Sequence, residues 1–432
     1  MMRERLAAAG LAATLLAVAL PTREAGAIPA FARKYRTSCS TCHVAFPKLN
    51  DFGEAFRLNG FQIRRDDELF VKDVPVSLGA EAWKLAWPDA IWPGDLPNLP
   101  PVAFLARFQS TSREGDPAKG SLEAPESFVI LAGGTFGRDI SFFVHYGVEP
   151  RIYVQFTSLF EGVLPPQALS LRVGLFEPSL FPYSNARRLT ATPMLPSVFN
   201  LRLPSGNGNE VQLDRQTGIE LEGLVGPSLR WTLGAVNGTG DGGDTNSSQD
   251  AYVRVAKKMG GMGFDGSGGA VEGEDLRQTD NWADNSLTLG AFGYLGRSTA
   301  FDVTSTSFEE YDIRFHRLGL DLRANWDRLD LFGGVLLGRD RDPGNDGGNV
   351  LSAVRYLEAD YVLFPWLIGV GRFEQLDWKR PGTNELEDEE VKRAVVALAV
   401  LIRANLKLAV EVQPNFAGES KDVVLFRLEF AF

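Results

Sequence analysis

The chain has 432 residues, of which 44% are hydrophobic and 23% charged, and it contains 45 glycines and 29 phenylalanines. This composition suffices for a core or for a lipid-facing surface, and it favours strands and turns over long helices. The formal net charge of −11 argues against nucleic acid as a partner, because phosphates call for a basic surface, and it leaves cations as the favoured small partners.

Residues 1–27 have the pattern of a secretory signal peptide. A short basic start, MMRER, precedes the apolar run LAAAGLAATLLAVALP, and small residues at Ala25 and Ala27 form an A-x-A-like cleavage site. An N-terminal membrane anchor is the alternative, but the apolar run is short for a span. We therefore predict a mature chain that starts at Ile28 and is exported to an oxidising compartment, where paired cysteines can form a disulfide.

Both cysteines of the chain lie in the stretch RTSCSTCHVAFPKL, residues 36–49. Cys39, Cys42 and His43 form C-x-x-C-H, the attachment pattern of c-type haem. Two thiols at this spacing reach the two vinyl groups on one edge of a porphyrin, and the next residue is placed to bind the iron. The motif predicts one covalently attached haem c with His43 as its proximal metal ligand.

Three other interpretations of this motif remain open. A disulfide leaves the histidine without a role, a zinc site needs two more ligands nearby, and a thioredoxin-like motif needs a βαβ context that the sequence lacks. The residues that follow favour a haem pocket, since Pro47 suits the start of a short amphipathic helix and residues 59 and 60, Asn-Gly, supply its stop. No second acid-base group stands out nearby, so we predict electron transfer and no catalytic residue.

From residue 102 onward, the sequence alternates with the period of two that is typical of β-strands, broken by polar, glycine-rich connections. Near the end of the chain, for example, Leu406 and Leu408 alternate with Lys407 and Ala409. In every strand, the residues at alternate positions are large and apolar, and the residues between them are charged, hydroxylated or glycine. Periodicity alone does not tell whether the apolar parity faces a soluble core or lipid.

Three further features favour a membrane barrel with its apolar parity toward lipid. Short and long connections alternate, as at the two ends of bacterial outer-membrane barrels. The chain ends in VVLFRLEFAF, with aromatic residues at Phe426, Phe430 and Phe432, and this strand is similar to the signal read by the outer-membrane insertion machinery. No later run reaches eighteen apolar residues, which excludes an α-helical membrane protein and leaves the outer membrane as a consistent destination.

We predict an all-β fold, a sixteen-stranded antiparallel outer-membrane barrel with a small α-helical N-terminal cytochrome domain. An even strand number puts the first and the last strand's chain ends on the same side of the membrane. The predicted strands lie near 102–112, 127–134, 139–148, 151–160, 168–176, 218–225, 229–236, 250–258, 286–296, 311–323, 328–338, 351–363, 367–378, 392–403, 406–413 and 423–432. Residues 259–284 fit poorly, because a short turn is expected there, and they are either an insertion or a miscounted strand.

The predicted organisation has four parts. They are a signal peptide (1–27), a monohaem cytochrome c domain (28–75), a Trp/Pro-rich linker (76–101) that contains Trp83, Trp87 and Trp92, and a porin-like barrel (102–432). The linker tryptophans either line an electron path or simply pack in a proline-stiffened linker. The acidic stretch TNELEDEEVK, on a predicted external loop, either collects cations such as ferrous iron or is solvated charge.

The exported haem motif, its context IPAFARKYRTSCSTCHVAFPKLNDFGEAFRLNGF at residues 28–61, and the barrel together resemble the fused monohaem cytochrome-porin family. That family includes outer-membrane iron oxidases of bacteria. The resemblance implies Cys39 and Cys42 as thioether attachment points and His43 as proximal ligand. It also implies electron flow across the outer membrane of a Gram-negative bacterium, from an extracellular reductant, with Fe(II) as a candidate, to a periplasmic electron-carrier protein.

Several points stay open at this level. The haem domain is expected in the periplasm or in the barrel lumen, and a homo-oligomer is compatible with the sequence. Three alternatives exist for the sixth ligand of the iron: His145, Met194, or no protein ligand. His145 shares the parity that should face the lumen, and Met194 lies in the longest loop, which is expected to fold inward; ordinary packing is the alternative for each. A diffusion porin whose haem domain acts as plug or redox sensor is the alternative function.

Overall fold

The computed structural model describes residues 30–63, 67–72, 76–77, 95–96, 101–113, 120–136, 139–198, 213–240, 248–268, 283–303, 308–342, 348–379, 389–414 and 422–432. The predicted signal peptide, the three linker tryptophans and residues 385–388 of the acidic stretch lie outside these ranges. Within them, no helix combines the length and the apolar character needed to cross a bilayer.

The described residues before the barrel form short elements. They are α1 (Ala30–Tyr35), a 3-10 turn (Cys39–Thr41), β1 (His43–Ala45), β2 (Lys48–Leu49), α2 (Asp51–Leu58), α3 (Asp67–Phe70), β3 (Val76–Ser77) and β4 (Asp95–Leu96). The side chain of Asn50 caps α2 by accepting a hydrogen bond from the amide of Gly53 at 2.8 Å. The expectation that this helix starts at Pro47 is therefore wrong, because the cap starts it at Asp51. It ends, as expected, before Gly60, which has a φ of +66°.

Within the described residues, sixteen antiparallel strands close into a single barrel, which confirms the predicted all-β barrel and its strand number. The strands are β5 (Val102–Arg113), β6 (Ser121–Phe136), β7 (Ile140–Tyr146), β8 (Arg151–Phe156), β9 (Ser170–Phe176), β10 (Gln216–Val225), β11 (Leu229–Val236), β12 (Asp250–Gly260), β13 (Ser286–Val303), β14 (Phe308–Trp326), β15 (Leu329–Asp340), β16 (Val350–Phe364), β17 (Leu367–Lys379), β18 (Glu389–Arg403), β19 (Leu406–Gln413) and β20 (Val423–Ala431). Each strand pairs with its neighbours in sequence, and β20 closes the barrel on β5, with Phe430 opposite Ala106.

The barrel wall has an apolar outer surface and a charged inner surface. Leu318 and Leu320 are 55% and 68% exposed on the outside of β14, whereas Arg317, on the other parity, is 1% exposed. At the turn between β16 and β17, the rings of Phe364 and Trp366 stack at 5.5 Å on the outer surface, as is typical of an interfacial aromatic girdle. The apolar parity therefore faces outward, as predicted for a wall in contact with lipid.

The two ends of the barrel differ. At the turn end, two-residue connections at 327–328, 365–366 and 404–405 join neighbouring strands, and the chain terminates there. The opposite end is called the loop end. The predicted alternation of short and long connections is not strict. A short connection at 147–150 lies at the loop end, and a longer one at 157–169 lies at the turn end.

The poorly fitting segment at 259–284 is an insertion and not a missed strand. β12 and β13 pair directly, with Gly260 opposite Ser286, so the chain between them leaves and re-enters the wall at the turn end. Of the connecting residues, the structure describes those up to 268 and those from 283.

A cavity in the barrel lumen lined by the cysteine motif

Residues 30–63, here called the plug, lie inside the barrel at its turn end. The ammonium of Lys48 is 2.5 Å from a carboxylate oxygen of Asp330 on β15. The carboxylate of Asp51 is 2.9 Å from the ammonium of Lys258 on β12. On a third side, Gln155 on β8 donates a hydrogen bond to the last carbonyl of α2 at 3.0 Å. The plug is thus fixed to three separate parts of the wall.

Aromatic packing also joins the plug to β7, next to the β8 contact of Gln155. The ring of Phe61 stacks on Phe143 of β7 at 5.5 Å and on Phe31 of α1 at 5.1 Å. Gly60 allows the backbone of the plug to approach the wall closely, since a Cβ at this position would lie 2.9 Å from the methyl group of Thr157. Burial of these rings stabilises the plug inside the lumen.

The longest described loop also folds into the lumen, as predicted. Residues 177–198, here called the lumen loop, include a 3-10 turn (Asn185–Arg187) and α4 (Leu195–Val198). The amide of Ala191 donates to Glu411 on β19 at 2.7 Å, and the amide of Leu195 donates to Glu374 on β17 at 2.5 Å. Buried carboxylates of the inner wall therefore hold this loop across the barrel.

Between the plug, the lumen loop and the wall lies a cavity of 330 Å³, within the range of about 300–1,000 Å³ typical of ligand and cofactor sites. Its lining includes Cys39, Cys42 and His43 of the plug, Phe181 of the lumen loop, and Phe143 and His145 of β7. The structure thus brings the three motif residues and one of the two candidate sixth ligands to the same cavity.

The imidazole of His43 is held in one tautomer. Its Nδ1 lies 3.2 Å from the carbonyl oxygen of Pro47. Because a carbonyl oxygen only accepts, Nδ1 carries the proton and Nε2 keeps its lone pair, which is the usual arrangement of a metal-binding histidine. Burial lowers the pKa of His43 to about 4, and hydrogen bonding to backbone carbonyls offsets only part of that effect. The imidazole is neutral at pH 7.

The two cysteines of the motif are free thiols and are not bridged by a disulfide. Burial raises the pKa of Cys42 to about 12, with the neighbouring Cys39 adding to the effect, and burial also raises the pKa of Cys39. Both groups are protonated at neutral pH. In the ranges described above, no group of three or more His, Cys, Asp or Glu side chains is arranged to hold a metal ion.

Cations dominate the charged lining of the cavity. Eight arginines and one lysine line it, against three carboxylates, in the part of the chain that the structure describes. Glu54 of α2 contacts Arg57 at 3.0 Å and Arg187 of the lumen loop at 3.6 Å. Burial alone would raise the pKa of Glu54, but these two arginines and Arg323 lower it to about 2. Each of the nine lining cations lies within 4 Å of a carboxylate, so the charged part of the cavity lining consists of ion pairs.

The two candidate sixth ligands have different surroundings. His145 is 7% exposed and lines the cavity. Met194 is also buried, but it packs against Phe332 and Tyr356, and its sulfur accepts a hydrogen bond from Arg372 at 2.8 Å. Met194 lies beside a second, much smaller cavity and does not line the one that holds the motif.

The acidic stretch predicted to collect cations is described only in part. Glu390 is exposed at the loop end of β18 and lies 2.6 Å from the ammonium of Lys392. Sequence reasoning missed the buried charged residues of the plug and the wall that face each other, such as Lys48 and Asp330. The alternation of residues along β15 could have predicted that Asp330 points into the lumen, but nothing in the sequence predicts that it pairs with Lys48.

Comparison with known proteins identifies the fold. No protein-family model matches the chain, and no curated protein matches it. Among solved structures, the chain is similar to the trimer form of OmpT from Vibrio cholerae, with 10% identity, a TM-score of 0.50, and coverage of 77% of this chain and 98% of that one. It is also similar to Salmonella typhi OmpF in complex with daunomycin, with 9% identity, a TM-score of 0.50, and coverage of 77% and 97%. The barrel therefore has the architecture of outer-membrane porins.

Proposed function

We propose that this protein is an outer-membrane c-type cytochrome fused to a porin-like barrel, a member of the cytochrome-porin family that its N-terminal sequence resembles. It passes electrons from an extracellular donor, with Fe(II) as the candidate, to a periplasmic electron-carrier protein. The observation that carries the proposal is the state of His43, whose Nδ1 is tied to the Pro47 carbonyl beside two unbridged cysteines. These groups share one cavity inside a membrane barrel.

The residues of the cavity have distinct roles in this proposal. Cys39 and Cys42 would hold one haem c through thioether bonds, and the haem would supply reversible one-electron chemistry. His43 presents its neutral Nε2 to the metal, and the Pro47 carbonyl fixes the orientation of its ring. The arginines of the lining are paired with carboxylates of the plug and the wall, and the cavity lies between the plug, the lumen loop and the wall.

The location of the plug supports transfer across the membrane. A hydrocarbon core of about 30 Å is an insulator, so an electron must cross on a carrier enclosed in protein. Short turns mark the periplasmic end of bacterial barrels, and the plug lies at that end of this barrel. A periplasmic carrier would therefore approach from the plug side, and an extracellular donor from the loop end.

Haem staining of the purified protein tests the proposal. In a host that matures c-type cytochromes, the wild type should retain haem after boiling in detergent, and ferrous iron should reduce it with a visible absorbance change. The double variant Cys39→Ser, Cys42→Ser should lose the stain, whereas Ser40→Ala, between the two thiols, should keep it. A wild type that folds in the outer membrane without covalent haem would contradict the proposal.

A second candidate, a diffusion porin whose haem domain acts as a plug or redox sensor, is favoured by the likeness of the barrel to porins. The two functions differ in conductance. The plug and the lumen loop both occupy the lumen, so the electron-transfer protein should conduct ions poorly in planar bilayers. Porin-like conductance together with no response of the absorbance to ferrous iron would favour the second candidate. A homo-oligomer is proposed for either function, to be measured by sedimentation in detergent.

A further inference from the structure

We infer that His145 is the protein ligand at the sixth coordination position of the haem, opposite His43. This inference rests on the proposed function, because it requires a haem on Cys39 and Cys42. It assigns a role to a buried histidine that the attachment motif does not use.

The surroundings of His145 suit a ligand. On β7 it lies opposite Leu131 of β6 and Arg151 of β8, and all three residues line the cavity. Its Nδ1 is buried and has no hydrogen-bond partner. A buried polar atom without a partner costs free energy, and this one belongs to a histidine that lines a cavity of cofactor size together with the attachment motif.

The other histidine and methionine side chains are less suitable. The sulfur of Met194 is bound by the guanidinium of Arg372. Met259 is exposed on the outside of β12, and Met262 lies in the insertion that follows it. His316 shares the outward parity of its strand. Within the described residues, His145 is the only histidine or methionine besides His43 that lines the cavity.

Two axial imidazoles have chemical consequences. A haem with a protein ligand on each side is six-coordinate and low-spin, so it offers no vacant position for oxygen chemistry. Such a site transfers electrons, and replacing one imidazole by a methionine thioether raises the reduction potential. The assignment therefore favours a centre of lower potential than a His-Met cytochrome of the same surroundings.

Spectroscopy of the purified protein tests the assignment without an activity assay. The ferric wild type should show a low-spin optical spectrum and low-spin electron paramagnetic resonance. His145→Ala should lose the low-spin signal and gain a high-spin signal, and added imidazole should restore the low-spin signal. His145→Met should stay low-spin with a raised reduction potential. The matched controls Met194→Leu and His316→Ala should both keep the wild-type spectrum.

Several outcomes would overturn the assignment. A ferric wild type that is high-spin has no strong sixth ligand, and a His145→Ala protein that stays low-spin without imidazole takes its ligand from elsewhere. Heat-modifiable mobility on gels shows whether each barrel is folded; if His145→Ala fails to fold, an unchanged potential in His145→Met overturns the assignment instead. Loss of covalent haem from the wild type has a different meaning, since it removes the proposed function itself.

Discussion

The ammonium group of Lys48 in the plug binds the carboxylates of two wall residues, Asp330 on β15 and Asp360 on β16. All three side chains are largely or fully buried. Burial lowers the pKa of Lys48, but the two carboxylates more than reverse this effect and raise the pKa well above its ordinary value. This ion pair anchors the plug to the side of the barrel opposite β7 and β8.

Replacing Lys48 with methionine should release this side of the plug. Lys48→Met keeps the apolar stem but leaves the buried carboxylate of Asp360 without its cation, while Asp330 keeps Arg323 at 2.8 Å. Breaking a buried pair in this way typically costs about 3–5 kcal/mol. We expect faster proteolysis within residues 30–63 while the barrel stays intact. Limited proteolysis in detergent, followed by mass spectrometry of the fragments, measures this change.

Lys392→Met is the matched control for that experiment. Lys392 pairs with Glu390 at 2.6 Å, but both side chains are exposed, and such a pair contributes about 0–1 kcal/mol. Equal protease sensitivity in the two variants would show that Lys48 does not anchor the plug.

Gly53→Ala should push α2 away from the cysteine motif. An added Cβ would lie 2.1 Å from the carbonyl oxygen of Cys42, a backbone atom that has little room to move. We expect destabilisation by about 1–3 kcal/mol, as for other overpacked sites, and a smaller fraction of protein with covalent haem. The ratio of haem stain to protein measures the second effect. Gly371→Ala, where the added Cβ meets no heavy atom within 4 Å, should leave the ratio unchanged, and equal ratios in both variants would be the contrary result.

Glu54 should make stability depend on pH in the acid range. Its pKa is lowered to about 2 in the folded protein, against about 4.3 in an unfolded chain. The stabilisation is therefore fully present above the unfolded value and is lost as the pH falls through about 2, at about 1.4 kcal/mol for each unit of the shift. Glu54→Gln should flatten the pH dependence of chemical unfolding between these values, as followed by tryptophan fluorescence.

A second substitution separates the partners of Glu54. Arg187→Gln removes one of the three arginines that keep the carboxylate ionised. It should therefore reduce the pH dependence of the unfolding free energy only in part. If both variants unfold with the wild-type pH dependence, the electrostatic role of Glu54 is refuted.

Leu320→Arg tests the outward orientation of the apolar parity. Leu320 is exposed near the middle of β14, and an arginine on the lipid face at the membrane midplane costs about 2–4 kcal/mol. Leu122→Arg, at the loop end of β6, should cost only about 0–1 kcal/mol, because it lies near the interface. Folding into lipid vesicles, measured by urea titration, gives both values; equal costs would argue against a lipid-facing wall.

Local patterns were sufficient for much of the fold. Adjacent residues of a strand point to opposite faces, so the alternation around Lys407 and around His145 predicted which side chains turn inward. The cysteine motif was readable for the same reason, because its chemistry depends on spacing along a few residues. The start of α2 was misplaced by a local competition, in which Asn50 capped the helix and Pro47 stayed in the preceding turn.

The sequence by itself determined the strand number, the parity of each strand and the composition of the attachment motif, since all three follow from backbone geometry over a few residues. Only the tertiary structure decided that the plug lies inside the lumen, that Lys48 meets Asp360, and that His145 and not Met194 shares a cavity with His43. These relationships join residues far apart in the chain, and they depend on how a closed barrel brings its strands around one interior.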